Sequence, residues 1–237
     1  MRLGLEDRQL TLDLPHAAAS TLDDFLPAAS NRRALEAVLG WPDWPATALI
    51  IDGPAGSGKT HLARIWAARA GATLLCGPEI WDVANPLMRV GGSACCVVDD
   101  ADRVEDERLL LHLYNTLAER RGSLLLTARR PLAEWGIALA DLRSRLRTAW
   151  IVGIGVPDDA LLAALLVKQL GDRQLRVEPG VVEMLARHME RSFAAAATIV
   201  RHLDLLSLQA GRPITPGLAR AVLRDLETRS ALQAEAA

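Results

Sequence analysis

Eight consecutive residues, Gly53-Pro54-Ala55-Gly56-Ser57-Gly58-Lys59-Thr60, match the pattern G-x-x-x-x-G-K-[ST] at every fixed position. Glycines let the backbone curl until its N–H groups converge on phosphate oxygens, and a helix opening at the lysine adds its N-terminal dipole. Lys59 is then expected at the β- and γ-phosphates of ADP or ATP, Thr60 on a Mg²⁺ ion, and His61 beside the same ligand. The plain alternative is an ordinary glycine-rich turn, which has no reason to fall between an apolar strand and a helix.

A second group of polar residues stands where strands end. Val97-Val98-Asp99-Asp100 closes an apolar run with two acids. A carboxylate there can hold Mg²⁺ through water, the role expected of Asp99. Asp100 can orient or activate a water for hydrolysis. Two acids can also simply end a strand in a polar loop, and the phosphate loop tips the balance toward chemistry. Thr127 ends a further apolar run, where a hydroxyl can sense a γ-phosphate. Leu142-Arg143-Ser144-Arg145-Leu146-Arg147 gathers three arginines, and one of them could reach a neighbouring subunit's nucleotide and stabilise transition-state charge. A solvated basic face explains the same cluster equally well.

Elements of the right period surround these residues. Short apolar strands are predicted at Ala48–Ile51, Thr73–Leu75, Cys95–Val98, Ser123–Thr127 and Trp150–Ile154. Helices are predicted at Asn31–Leu39, Lys59–Ala70 and Glu105–Glu119. Fully apolar strands alternating with helices imply a five-stranded parallel sheet covered on both faces. Beyond Val156-Pro157 the pattern turns all-helical, with helices from Asp158-Asp159 to Leu170, over 180–190, from Ser192 to Gln209, and from Thr215-Pro216 to about Thr228. The expected organisation is α/β: a flexible tail over 1–19, a three-layer αβα core over 20–156, a small helical lid over 157–228 and frayed residues over 229–237.

Composition narrows the function. A formal charge of −2 gives no general attraction to nucleic acid, though Arg129-Arg130 could touch phosphates nonspecifically. Three cysteines, two of them adjacent, exclude a disulfide framework, and the five histidines show no metal-ligand spacing with them. No apolar run approaches the roughly 20 residues of a membrane span, and the N-terminus lacks a signal peptide's apolar block, so a cytoplasmic protein is expected.

The phosphate loop, Asp99-Asp100, the L-R-S-R-L stretch and Pro157 leading into a helical lid together resemble AAA+ proteins of the DnaA initiator class. Ser20–Asn31 resembles the linker that helps form the adenine pocket there, which implies that Phe25, Leu26 and, at the lid, Pro157 contact the nucleotide. Gln9-Leu10-Thr11-Leu12-Asp13-Leu14 is similar to the motif by which proteins dock on the bacterial sliding clamp, the β subunit of DNA polymerase III. Gln9 suits a polar pocket, and Leu12 and Leu14 an apolar one, with Leu10 counted among the docking residues. The sequence closes after the lid, where initiators continue into a DNA-binding domain, so no specific DNA-recognition element is expected. This combination resembles the Hda family of DnaA-related regulatory inactivators. The resemblance implies a clamp-bound negative regulator of replication initiation, with Arg145 reaching the ATP of DnaA and promoting its hydrolysis.

Two positions depart from the family. Thr127-Ala128-Arg129-Arg130 stands where an aspartate usually follows the fourth strand, and Ala194 aligns with a lid arginine. Loss of that cation weakens any hydrolysis by the chain itself. Three readings stay open: an activator of a partner's ATPase, an ATPase acting on its own nucleotide such as a helicase loader, and a passive clamp-bound scaffold. Self-association and the identity of the resident nucleotide also stay open.

Overall fold

The computed structural model describes residues 21–76, 90–210 and 213–235. The expected clamp-docking residues Gln9, Leu10, Leu12 and Leu14 lie outside them. Five strands, β1 (Ala48–Asp52), β2 (Thr73–Leu75), β3 (Cys95–Val98), β4 (Ser123–Ala128) and β5 (Trp150–Gly153), form one parallel sheet in the order β2-β3-β4-β1-β5. The order sets the C-terminal ends of β3, β4 and β1 side by side, and these are the ends that carry Asp99, Thr127 and the phosphate loop.

Alternation along each strand splits the core in two. Leu49, Ile51, Val97 and Leu125 face α1 (Arg32–Leu39) and α2 (Lys59–Ala70), where they meet Leu35, Val38, Leu62 and Trp66. Ala48, Ile50, Cys96, Val98, Leu124 and Leu126 face the other way, onto Leu110, Leu113 and Leu117 of α3 (Glu107–Glu119) and Leu142 and Leu146 of α4 (Ala140–Arg147). Burying each such leucine contributes about 1.5–3 kcal/mol, and the period of two makes both faces apolar at once.

Several boundaries differ from the sequence reading. Helix α3 starts at Glu107 rather than Glu105 because the Asp106 carboxylate caps it, accepting from the Leu109 N–H at 3.0 Å. The arginine cluster, expected only as a charged stretch, is helix α4, with Leu142 and Leu146 buried one turn apart and Arg143, Arg145 and Arg147 exposed. Strands β1 and β4 each run one residue further, to Asp52 and Ala128, as register partners in the ladder.

The lid comprises α5 (Asp159–Asp172), α6 (Val181–His188), α7 (Phe193–Ala210) and α8 (Pro216–Glu235) around Leu162, Leu166, Leu185, Val200, Leu203 and Val222. Asp158 caps α5 by accepting from Leu161 N–H at 2.8 Å. Helix α8 continues to Glu235, past the expected end near Thr228. Its last turns hold alanine, leucine, glutamine and glutamate with no glycine or proline, so nothing local stops the helix. No described helix is long and apolar enough to cross a membrane.

Candidate functional site

Residues 53–58 form the turn between β1 and α2, and their geometry explains the motif. Gly58 stands before α2 at φ 90° and Gly56 at φ 77°, in the left-handed region where a side chain is strained. Lys59 is buried, and its Nζ donates to the carbonyls of Gly53 at 2.8 Å and Pro54 at 2.7 Å. Burial lowers the Lys59 pKa from its usual value. The carboxylates of Asp100, Asp99 and Asp102 oppose that shift, and the Arg129 guanidinium reinforces it. Burial also raises the Asp52 pKa at the end of β1.

The neighbouring strand ends are wired to this loop. Thr60 Oγ1 donates to the Asp99 carboxylate at 2.9 Å. Thr127 Oγ1 donates to Asp99 Oδ1 at 2.5 Å and accepts the Asp100 N–H at 2.9 Å. Thr127 is fully buried, so its hydroxyl is committed in both directions. Asp100 takes a left-handed conformation, φ 54°, which that hydrogen bond helps hold. Its carboxylate is clasped by Arg129, through Nη2 at 2.8 Å and Nε at 3.3 Å. Asp100, expected to handle a water, is therefore already engaged by a cation. Arg130 likewise reaches Asp102, at 3.3 Å.

Beside the loop lies a cleft between the linker and the lid. Phe25, Leu26 and Asn31 line it from the linker, Gly56, Ser57, Gly58 and His61 from the loop side. Phe25 meets the His61 ring edge-on at 5.6 Å, and His61 Nε2 lies 2.9 Å from the Thr21 carbonyl oxygen. The lid supplies Leu161, Leu165, Lys168, Gln169 and Asp172 of α5, with Phe193 of α7. Lys168 crosses from lid to linker, with its Nζ 3.0 Å from Asp24. Asp24 in turn accepts from Thr21 Oγ1 at 2.7 Å, and together these contacts lower its pKa. The α5 residues escaped the sequence reading. Their only signals were the rarity of lysine and the helical spacing of 161, 165, 168 and 172.

Not every expected residue joins this constellation. Pro157 is buried and does not line the cleft. Arg145 is exposed on α4, away from these contacts. Ala194 lies at the start of α7, with its backbone N 3.3 Å from where a Cβ on Gly56 would stand. The lid position expected to carry an arginine thus abuts the phosphate loop and carries a methyl group.

A curated relative, the chromosomal replication initiator protein DnaA of Mycobacteroides abscessus, is 29% identical over 253 residues, covering 95% of this chain and 51% of that protein. Domain III of the Thermotoga maritima replication initiation protein DnaA superposes with a TM-score of 0.75 at 17% identity, covering 90% of this chain and 98% of that one. The fold is that of a DnaA-like AAA+ domain. AMPPCP-bound DnaA from Aquifex aeolicus superposes with a TM-score of 0.62 at 18% identity, over 80% of this chain and 66% of that one. The chain spans about half the length of the curated relative it matches. No protein-family model matches it.

The donor set of this DnaA-like domain fits Mg²⁺. A hydroxyl and a carboxylate within hydrogen-bond distance of each other, beside a phosphate cradle, suit an ion that keeps most of its waters and takes phosphate oxygens. Among the described residues no cluster of three histidine, cysteine or acidic side chains could hold a metal by itself.

Proposed function

We propose that this chain is a regulator of DNA replication initiation that keeps ADP or ATP with Mg²⁺ as a resident ligand and acts on a partner's nucleotide. The partner on this reading is the DnaA initiator, and the sliding clamp is the tether, which sets the protein in the cytoplasm. Gly53 to Thr60 cradle the phosphates, Lys59 compensates their charge, and Thr60 and Asp99 would hold the ion. Phe25, Leu26 and His61 flank the rest of the nucleotide.

One contrast carries this reading. Asp100, the residue best placed to handle a water, is held by Arg129 at 2.8 Å. Arg145 is exposed, and its guanidinium has no hydrogen bond or ion pair among the described residues. A guanidinium in that state is available to a second molecule, where an arginine finger accelerates phosphoryl transfer by about 10³–10⁵-fold. Ala194 in place of a lid cation points the same way, toward slow turnover by the chain itself.

The test mixes the purified chain, DNA-loaded clamp and ATP-bound DnaA, and follows ADP formed on DnaA. Arg145→Ala and Gln9→Ala should each reduce ADP formation to the unstimulated rate while nucleotide binding by the chain stays intact. Full stimulation by Arg145→Ala would end this reading. The intact Thr60–Asp99–Thr127 wiring favours a second reading, an ATPase acting on its own nucleotide, such as a helicase loader. Steady phosphate release by the chain alone, lost in Asp100→Asn, supports that one. Indifference to every arginine between 143 and 147 supports a passive scaffold.

A further inference from the structure

Strand β5 is last in the sheet and pairs only with β1 among the described strands. The ladder fixes which of its main-chain groups are engaged. Ile151 stands opposite Ile50 and Gly153 opposite Asp52, and the Ile154 N–H donates to the Asp52 carbonyl at 2.7 Å. Such donors alternate in a parallel ladder, so Trp150 and Val152 turn their groups to β1 while Ile151 and Gly153 turn theirs outward. Just past the strand, the next outward N–H, that of Gly155, donates to the Ser30 carbonyl at 2.9 Å. Among the described residues nothing answers Ile151 and Gly153 in the same way. Exposed edges template a further strand unless charge, proline or a bulge blunts them, and Trp150-Ile151-Val152-Gly153 has neither charge nor proline. A groove lies on each face of this edge, and Ile151 lines both. On the α4 face, Leu132, Ile137 and Ile151 are flanked by Arg143 and Arg147. On the α1 face, Arg33 and Glu36 stand beside Trp150 and Val152.

We propose that the β5 edge docks an extended, acidic peptide segment of a partner protein, which adds to the sheet as a further strand. Its main chain answers Ile151 and Gly153, and its side chains enter the two grooves alternately. Charge selects the acid: Arg33, Arg143 and Arg147 stand against Glu36 alone. The side chains of Arg33 and Arg147 have no hydrogen bond or ion pair among the described residues, whereas Arg143 donates to the Ile137 carbonyl at 2.9 Å. The apolar floor beside two cations on the α4 face sets a pattern, an apolar residue and an acid two positions apart. A second copy of this chain fits poorly. A two-fold that continues the sheet keeps each face on its own side, so α4 would lie beside α4 and arginine would oppose arginine. The edge residues do not line the cleft beside the phosphate loop, so this inference is independent of the nucleotide reading.

The probe is the peptide acetyl-Ser-Val-Thr-Asp-Thr-Val-Thr-Asp-Ser-amide, in which valine and aspartate share one face of a strand. Its binding to the full chain is read by titration and by amide hydrogen exchange. Near saturation, exchange at Ile151 and Gly153 should slow by about tenfold, while Trp150 and Val152, already bonded to β1, stay as they are. Replacing both aspartates of the probe by lysine should weaken binding by about fivefold or more, and Arg147→Glu should do the same at unchanged Tm, with both losses shrinking as salt rises. Arg33→Glu, on the opposite groove, supplies the same reading if Arg147→Glu does not fold. N-methylation of alternate probe residues should abolish binding in one register and spare it in the other, because only one set of N–H groups faces β5. No binding at millimolar probe, equal affinity for the lysine peptide, or exchange slowed evenly along β5 overturns the inference. So does slow exchange at Ile151 and Gly153 before any probe is added: dependence on protein concentration then reports a second copy, and independence reports a segment of the chain itself.

Discussion

Gly56→Ala separates the loop's conformational demand from the motif that names it, because the motif leaves position 56 open. At φ 77° an alanine takes on left-handed strain of about 1–2 kcal/mol. Its Cβ would stand 3.2 Å from Phe193 Cβ and 3.3 Å from the Ala194 N. Those atoms belong to the first turn of α7, which is anchored in the lid core by Ala196, Ile199 and Val200, so they cannot yield as a side-chain tip could. The variant must either keep the cradle and carry the strain, or relax the loop and rebuild it when a ligand arrives. The two losses, in stability and in affinity, therefore sum to at least about 1–2 kcal/mol, roughly five- to thirtyfold in the combined equilibrium. Titration with a fluorescent ADP and thermal melts with and without ligand measure both parts. Gly58→Ala is the comparison: at φ 90° it carries the same left-handed strain but its Cβ meets a side chain, Phe25 Cε2 at 3.2 Å, and no backbone, so any excess loss at Gly56 over Gly58 reports the clash with the first turn of α7. Gly56→Ala with affinity within twofold of wild type and an unchanged Tm would refute the reasoning.

Two further outcomes follow from the charges around the loop. Burial raises the Asp52 pKa above its usual 3.8, so the folded state holds that proton more tightly than the unfolded chain does. Stability from this group is complete below 3.8 and is lost as pH rises through the raised value. Asp52→Asn should therefore melt higher than wild type at neutral pH, with the gap closing as pH falls toward that point; a gap independent of pH contradicts the assignment. Arg129→Ala should raise ATP turnover by the chain alone. The pair is half exposed on the arginine side, worth about 0.2–1 kcal/mol, so the rise is up to about fivefold and should vanish in the double variant with Asp100→Asn. Unchanged phosphate release at unchanged nucleotide affinity would show that Asp100 is not restrained by this contact.

The parts of the fold that obey one local period were legible in the sequence. Leu49 and Ile51 alternate with Ala48 and Ile50, so β1 declared itself as a strand buried on both faces, and the glycine-rich turn after it has one main use. Helix α4 was not legible because two leucines one turn apart among arginines, a serine and an aspartate look the same on a solvated face and on a short buried helix. The cleft wall on α5 was hidden for a different reason. Leu161, Leu165 and Gln169 have helical spacing, but whether that side meets the lid core or the loop depends on how the lid closes, which is a contact between segments more than a hundred residues apart. The clasp on Asp100 was hidden in the same way, since Arg129 and Asp100 come together only because β3 and β4 are neighbours in the sheet. Hydrogen-bond wiring between strand ends is a product of register, and a single sequence does not display register.

The packing also bears on why a domain in which Arg129 holds Asp100, the acid expected to handle a water, would keep a complete phosphate loop. The lid core around Leu166 and Val200 shares no residue with either sheet core. Core and lid instead meet through the Lys168–Asp24 pair and through the approach of Gly56 to Phe193. The ion pair is partly exposed and screened by solvent, so it holds the two parts only weakly. A ligand that touches the loop, the linker and α5 together, present at a hundredfold excess over its Kd, adds about 2.7 kcal/mol to the state that binds it. On the proposed reading the nucleotide therefore outweighs the direct polar contacts in fixing the lid on the core. Binding alone meets that need. Hydrolysis by the chain's own residues would remove only the terminal phosphate from a ligand whose base, ribose and remaining phosphates span the same three segments, so restraint of Asp100 costs the scaffold nothing.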